Sequence, residues 1–255
     1  QRKLREFFVK QLGGFPERTA LNARTVRTIK ADGYHIENVI FESQPHHHVT
    51  ANLYLPDGDA PVPGVVVSSG HSRTGKTADY NQRFGIMMAK HGMAALCFDP
   101  IGQGERSQIL DPQGQPQFNS TTTEHFLIGV GSILVGRNTA RYRVWDAMRA
   151  IDYLASRPEV DPDRIGLTGC SGGGTLTSYV MALDDRVVCE RKVHSSVWVY
   201  IYIYIYNIKC ALEARRAMTF LVCHSLCFTV HSFCLLFIGP DWPFDVSVGF
   251  GLQFL

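Results

Sequence analysis

Gly169-Cys170-Ser171-Gly172-Gly173 decides the reading of this chain. It spells G-x-S-x-G, the sharp strand-to-helix turn that lifts a nucleophilic serine above a sheet. Ile165–Thr168 precedes it as a short apolar run, which predicts a strand. Leu176, Val180 and Leu183 follow with helical spacing. Serine is a weak nucleophile at neutral pH and needs a base. The turn supplies the rest by geometry. Glycines at 169 and 173 let strand and helix approach closely around Ser171, and the N–H of Gly172 can then meet a developing oxyanion. A second donor is expected from the loop after an earlier strand, here Ser69-Gly70-His71-Ser72, through the N–H of His71 or Ser72.

Working outward, strands and helices alternate. Val65-Val66-Val67 predicts a buried strand, followed by a loop over Ser68–Lys76 and a helix near Asp79–His91. Met93–Phe98 predicts the next strand, with a polar glycine-containing loop over Ile101–Phe118. Ala140–Ser156 predicts an amphipathic helix, because Val144, Met148, Ile151 and Ala155 share one face and Arg157-Pro158 stops it. Trp145, Tyr142 and Tyr153 on it are read as packing residues rather than a ligand platform. Asp161-Pro162-Asp163 is read as a turn, and Val187-Val188 as the opening of one more strand. Upstream, Arg2–Leu12 predicts a helix ending at Gly13-Gly14. Thr25–Ile29, His35–Phe41 and Val49–Leu55 predict antiparallel strands ahead of the main sheet. The alternation argues for an α/β fold with a mostly parallel central sheet and helices on both faces.

At 255 residues the chain suffices for one α/β domain. A net charge of +2 gives no reason to expect nucleic acid or an anionic membrane as partner. Gln1–Lys10 is charged, unlike a signal peptide, and the absence of an initial Met predicts that the native N-terminus lies upstream. Seven cysteines show no C-x-x-C pair and no metal-ligand spacing, so they indicate no compartment. Cys97 and Cys170 are read as buried free thiols on strand and turn. His46-His47-His48 is read as a solvated edge rather than a metal site, since adjacent side chains on a strand alternate faces. Gly102-Gln103-Gly104 lacks the third glycine of a dinucleotide loop.

One motif competes with the serine turn. Gly70-His71-Ser72-Arg73-Thr74-Gly75-Lys76-Thr77 matches G-x-x-x-x-G-K-[ST], the phosphate-cradling P-loop, and it lies between a predicted strand and a predicted helix. Asp99 at the end of the next strand would then hold magnesium. This alternative, a nucleotide-binding protein using Gly70–Thr77, leaves Ser171 without a role.

Several stretches together resemble one family. They are Gly14–Thr19, Val49–Pro56, Gly70-His71-Ser72 with Gly75-Lys76, Asp99–Arg106, Trp145-Asp146 with Arg149–Leu154, and Gly169–Gly174. Over residues ~5–188 the chain resembles the acetyl xylan esterase and dienelactone-hydrolase-like branch of the α/β-hydrolases. The resemblance implies an α/β-hydrolase fold and a cofactor-free carboxylic ester hydrolase acting on a small-molecule or carbohydrate ester, such as an acetylated carbohydrate. It also makes Gly70–Lys76 an oxyanion loop.

Beyond Cys189 the resemblance stops. Family members continue through strands that deliver first an acid and then a histidine. Of the later histidines here (His194, His224, His231), all precede Asp241 and Asp245, the wrong order for such a pair. Glu213 precedes His224 and His231 but lies too close to Ser171 for the intervening strand–helix units. The triad acid and base are therefore unassigned. Val197–Tyr206 is a two-residue repeat of an aromatic residue (Trp198, then Tyr) with Val or Ile, bulky on both faces. Met218–Ile238 is apolar and long enough to cross a membrane, though His224 and His231 interrupt it. The expectation is an incomplete hydrolase domain over 1–190 and an atypical apolar tail over 191–255, of the kind a misread frame or unspliced intron produces. A non-catalytic, truncated esterase product is thus a further alternative.

Overall fold

The computed structural model describes residues 2–58 and 61–187. The expectations for Val188, the Tyr repeat, Met218–Ile238 and the late acids and histidines lie outside them.

Helix α1 (Arg2–Gln11) ends where Gly13 and Gly14 take φ of +75° and +73°, with Gly14 N–H returning to Val9 O at 2.9 Å. Only glycine adopts such angles without a Cβ clash, so the pair stops the helix. Three strands follow: β1 (Arg24–Ala31), β2 (Tyr34–Gln44) and β3 (His47–Pro56). Their short hairpin connections force antiparallel pairing. These strands do not stand ahead of the main sheet. They continue it, through antiparallel pairing of β3 with β5 (Ala94–Phe98). Next come β4 (Val62–Ser68) and β6 (Val160–Gly169), which lie parallel to β5 in the order β1-β2-β3-β5-β4-β6.

Alternation along the inner strands sends side chains to two different cores. Leu53, Val66 and Leu96 face the larger core with α4 (Thr139–Ala155) and α5 (Gly172–Leu183). Val144, Ile151, Leu176, Val180 and Leu183 fill that core, as the helical spacing predicts. On the opposite face lies α2 (Asp79–Lys90). Its Gly85 sits so close to the Tyr54 ring that a Cβ would come within 2.5 Å, and Asn81 O accepts a bond from Cys97 Sγ at 3.7 Å. Trp145 and Tyr153 are buried as packing residues, Trp145 donating its indole N–H to Ser43 O at 2.7 Å.

Three elements differ from the sequence reading. Asp161-Pro162-Asp163 does not end a segment; it bulges within β6, whose register jumps from Val62↔Val160 to Gly64↔Ile165. A helix unassigned from sequence, α3 (Thr121–Leu134), spans the region between the polar loop and α4. Val187 sits in a bend rather than a strand. Cys97 is buried as expected, but Cys170 is exposed, because the turn raises it above the sheet.

Ser68, Phe98 and Gly169 stand in register at the carboxyl ends of β4, β5 and β6. Chain order reverses about β4, so this end is the topological switch point, where α/β sheets place their ligand sites.

Candidate active site

Ser171 has φ +52° and ψ −119°. A side chain at this φ is strained by about 1–3 kcal/mol, sustained only where surrounding packing dictates it. That packing is visible on both sides. A Cβ on Gly173 would lie 2.0 Å from Ser68 O, and one on Gly169 would lie 2.4 Å from Gly173. Strand and helix therefore touch backbone to backbone, and the turn between them has no freedom to relax. The Ser171 hydroxyl makes no capping bond to α5, and the residue is exposed.

The loop after β4 packs directly on this turn. A Cβ on Gly70 would meet Cys170 O at 2.8 Å, and one on Gly172 would meet the His71 ring at 2.7 Å. Gln103 Nε2 donates to Gly70 O at 2.9 Å, and Tyr80 Oη also donates there at 3.4 Å. A trans peptide sets the His71 N–H opposite the Gly70 carbonyl. Both bonds thus fix the direction of that N–H. Ser69 is anchored below it, donating to Phe98 O and accepting from Asn81 Nδ2 at 2.9 Å. Ser72 instead turns its hydroxyl to Thr74, 3.0 Å away. The sequence-predicted residues Ser171, Gly172 and His71 are thus brought together.

The same loop disfavours the P-loop alternative. A phosphate cradle requires open backbone N–H groups and a free lysine. Here Gly75–Thr77 is a 3₁₀ turn, with the N–H groups of Gly75 and Thr77 bonded to Ser72 O and Thr74 O. Lys76 is buried, its N–H donating to Asp99 Oδ1 at 2.6 Å and its Nζ to Asp99 Oδ2 at 2.5 Å. Nζ also bonds Glu105. Asp99 takes a further bond from Thr50 Oγ1 at 2.7 Å. It is a buried structural anion tying two loops together rather than an open ligand for magnesium.

A second buried ion pair supports the loop over 100–106. Arg106 donates to Asp99 O and to Asp146 Oδ2, both at 2.8 Å, and its Nη2 lies 2.9 Å from His47 Nε2. Ser43 Oγ donates to Asp146 Oδ1 at 2.6 Å. Burial works against the Asp146 charge, but Arg106, His47 and Ser43 outweigh it and hold the carboxyl below the usual range. The middle residue of the histidine run thus has a structural partner.

His125 precedes the serine in the chain, the wrong order for the base that follows an acid in this family's pattern. α3 brings its ring to 5.1 Å from that of His71, and its Nε2 donates to Ile101 O at 2.6 Å. Burial, followed by the charge of Arg143, lowers the His125 pKa to about 4. The same two causes, in the same order, lower that of His71. Both rings are neutral at pH 7. Among the described residues neither bonds a carboxylate. The spacing of His125 from the serine gave no signal of this, because the loop and helix that carry it have no readable period.

No helix among the described residues is long and apolar enough to cross a membrane, and no cluster of metal-ligating side chains occurs among them.

Comparison with known proteins gives a consistent result. A model of the acetyl xylan esterase family matches residues 6–207. YtaP, a Bacillus subtilis protein named as a hydrolase, is 28% identical over 190 residues, covering 70% of this chain and 59% of that protein. A Bacteroides fragilis structure described as an acetyl xylan esterase superposes with a TM-score of 0.60 at 18% identity, over 73% of this chain and 50% of the other. Acetyl xylan esterase 1 of Thermoanaerobacterium gives a TM-score of 0.54 at 21% identity, over 72% and 56%. The fold is that of the α/β-hydrolases. The chain spans about half to three fifths of the length of these proteins.

Proposed function

Because the chain belongs to the acetyl xylan esterase family, we propose that it carries the nucleophile half of a serine carboxylic ester hydrolase acting on an acetylated carbohydrate. Ser171 Oγ attacks the ester carbonyl, forming a tetrahedral intermediate that collapses to an acyl-serine and the free alcohol. Water then attacks the acyl-serine and releases the acid. The oxyanion receives the N–H groups of Gly172 and His71. His71 is preferred to Ser72, since the Gly70–His71 peptide is clamped from its carbonyl side. Such fixed donors are worth roughly 3–4 kcal/mol each in the transition state. No cofactor takes part.

The observation that carries this reading is the strained Ser171, with its hydroxyl uncapped beside the Gly70 loop. The proton on Ser171 Oγ still needs an acceptor. His71 and His125 have depressed basicity and no carboxylate to orient them among the described residues. That favours a second reading: the hydrolase domain is incomplete, the tail beyond the family match at residue 207 is foreign to it, and this polypeptide is a non-catalytic product of an esterase lineage. Hydrolysis of p-nitrophenyl acetate above blank, lost in Ser171→Ala, supports the first reading. Absence of both hydrolysis and fluorophosphonate labelling at Ser171 selects the second.

A further inference from the structure

Helix α3 is amphipathic the wrong way round. Its inner side is polar: Glu124 and Ser132 are buried, Glu124 accepts from the N–H of Gln108, and His125 Nε2 donates to Ile101 O at 2.6 Å. These bonds fix the rotation of the helix. Its apolar residues are thereby turned outward, where a helix packed by hydrophobic burial would turn them in. Phe126, Val130 and Ile133 recur at i, i+4 and i+7, with Leu127 and Leu134 beside them on the same face. Phe126 is 70% exposed, Ile133 69% and Leu134 82%, and Val135 extends the face past the last turn.

These side chains expose on the order of 600 Å² of apolar surface, as much as the largest patch on an ordinary monomer. The face carries no charge. Glu124 and His125 are the only ionisable residues between positions 121 and 136, and both belong to the inner side. A partner selected by charge finds nothing to read there. A second copy of the chain needs no such signal, because an uncharged apolar stripe is complementary to itself across a two-fold axis. Two such faces together remove roughly 1,200 Å² from water, which reaches the size of a stable protein–protein interface. Homodimer interfaces are also the more apolar class.

We propose that the protein self-associates through α3, two copies packing their Phe126–Leu134 faces against each other in an isologous dimer. The association does not rest on the esterase reading. It has a consequence for the candidate site all the same. α3 carries His125, whose ring lies 5.1 Å from that of His71. Pairing of the outer faces braces this helix from behind, so that one wall of the site is held by the partner copy.

The test is sedimentation equilibrium of the full chain from about 1 to 100 μM, which should return the mass of a dimer. A two-fold axis presents each substitution twice. Phe126→Glu and Leu134→Glu should therefore each weaken association by about a hundredfold or more, with the far-UV circular dichroism unchanged. Val26→Glu, which charges an exposed apolar residue on β1, is the control and should leave the dimer intact. A chain that stays monomeric at the highest concentration overturns the proposal. So does a dimer that survives both α3 variants, or one that Val26→Glu weakens as much as they do. A monomer that Leu134→Glu destabilises against urea also overturns it, and assigns the cover of α3 to other residues of the same chain.

Discussion

Lys76 places both its backbone N–H and its ammonium on the carboxylate of Asp99, at 2.6 and 2.5 Å, with both side chains buried. One residue thus ties the loop after β4 to the end of β5. Lys76→Ala leaves Asp99 buried without its cation, which costs about 3–5 kcal/mol in systems of this kind. Urea unfolding should show that loss. Calorimetric titration with Mg-ATP should show no heat of binding in the unmodified protein. Saturable nucleotide binding abolished by this variant would revive the phosphate-cradle reading of Gly70–Thr77.

Ser171 at φ +52° stores strain that glycine would not. Replacing it removes the Cβ clash at a smaller entropic cost, so Ser171→Gly should stabilise the domain by about 1 kcal/mol. Ser171→Ala keeps the Cβ and should not. A thermal melt in which the glycine variant is no more stable than the alanine variant argues against a strained turn.

Gly173 has Ser68 O where its side chain would be. Gly173→Ala should push α5 off the sheet and destabilise by about 3 kcal/mol or more, at the upper end of overpacking effects. Gly131, with nothing within 4 Å of its Cβ position, is the control, and Gly131→Ala should not destabilise. Equal stability of the two variants would contradict the backbone contact.

His125 titrates at about 4 in the folded state, below its ordinary value of 6.5. Between these values the unfolded chain binds more protons at this site. Stability therefore rises with pH across that window and falls as pH drops from 6.5 towards 4. His125→Gln should flatten this part of the stability profile. A ring titration near 6.5 by NMR would show that the burial and the Arg143 field are misjudged.

Much of the framework was legible because its signals are local. The serine turn is spelled by three residues of two types at fixed spacing, and Val144, Met148 and Ile151 mark α4 by period alone. α3 was not, because Phe126, Ile133 and Leu134 are exposed, so its apolar residues trace no buried stripe. The role of Lys76 was hidden for another reason. The string Gly70–Thr77 is the same in a nucleotide site and here. Only Asp99, arriving from the next strand, decides between them. The pairing of His71 with His125 likewise depends on α3, the helix that could not be read.

The clamp on the Gly70 carbonyl has a consequence for how the chemistry divides. Gln103 and Tyr80 both precede the nucleophile in the chain, and both orient the electrostatic side of the site without help from any proton-transfer group. Charge stabilisation and proton transfer are then separable modules. A base diffusing in from solution, such as imidazole, could complete the reaction at Ser171 with an activated ester. The dependence of rate on buffer concentration would measure what the folded half-site contributes by itself.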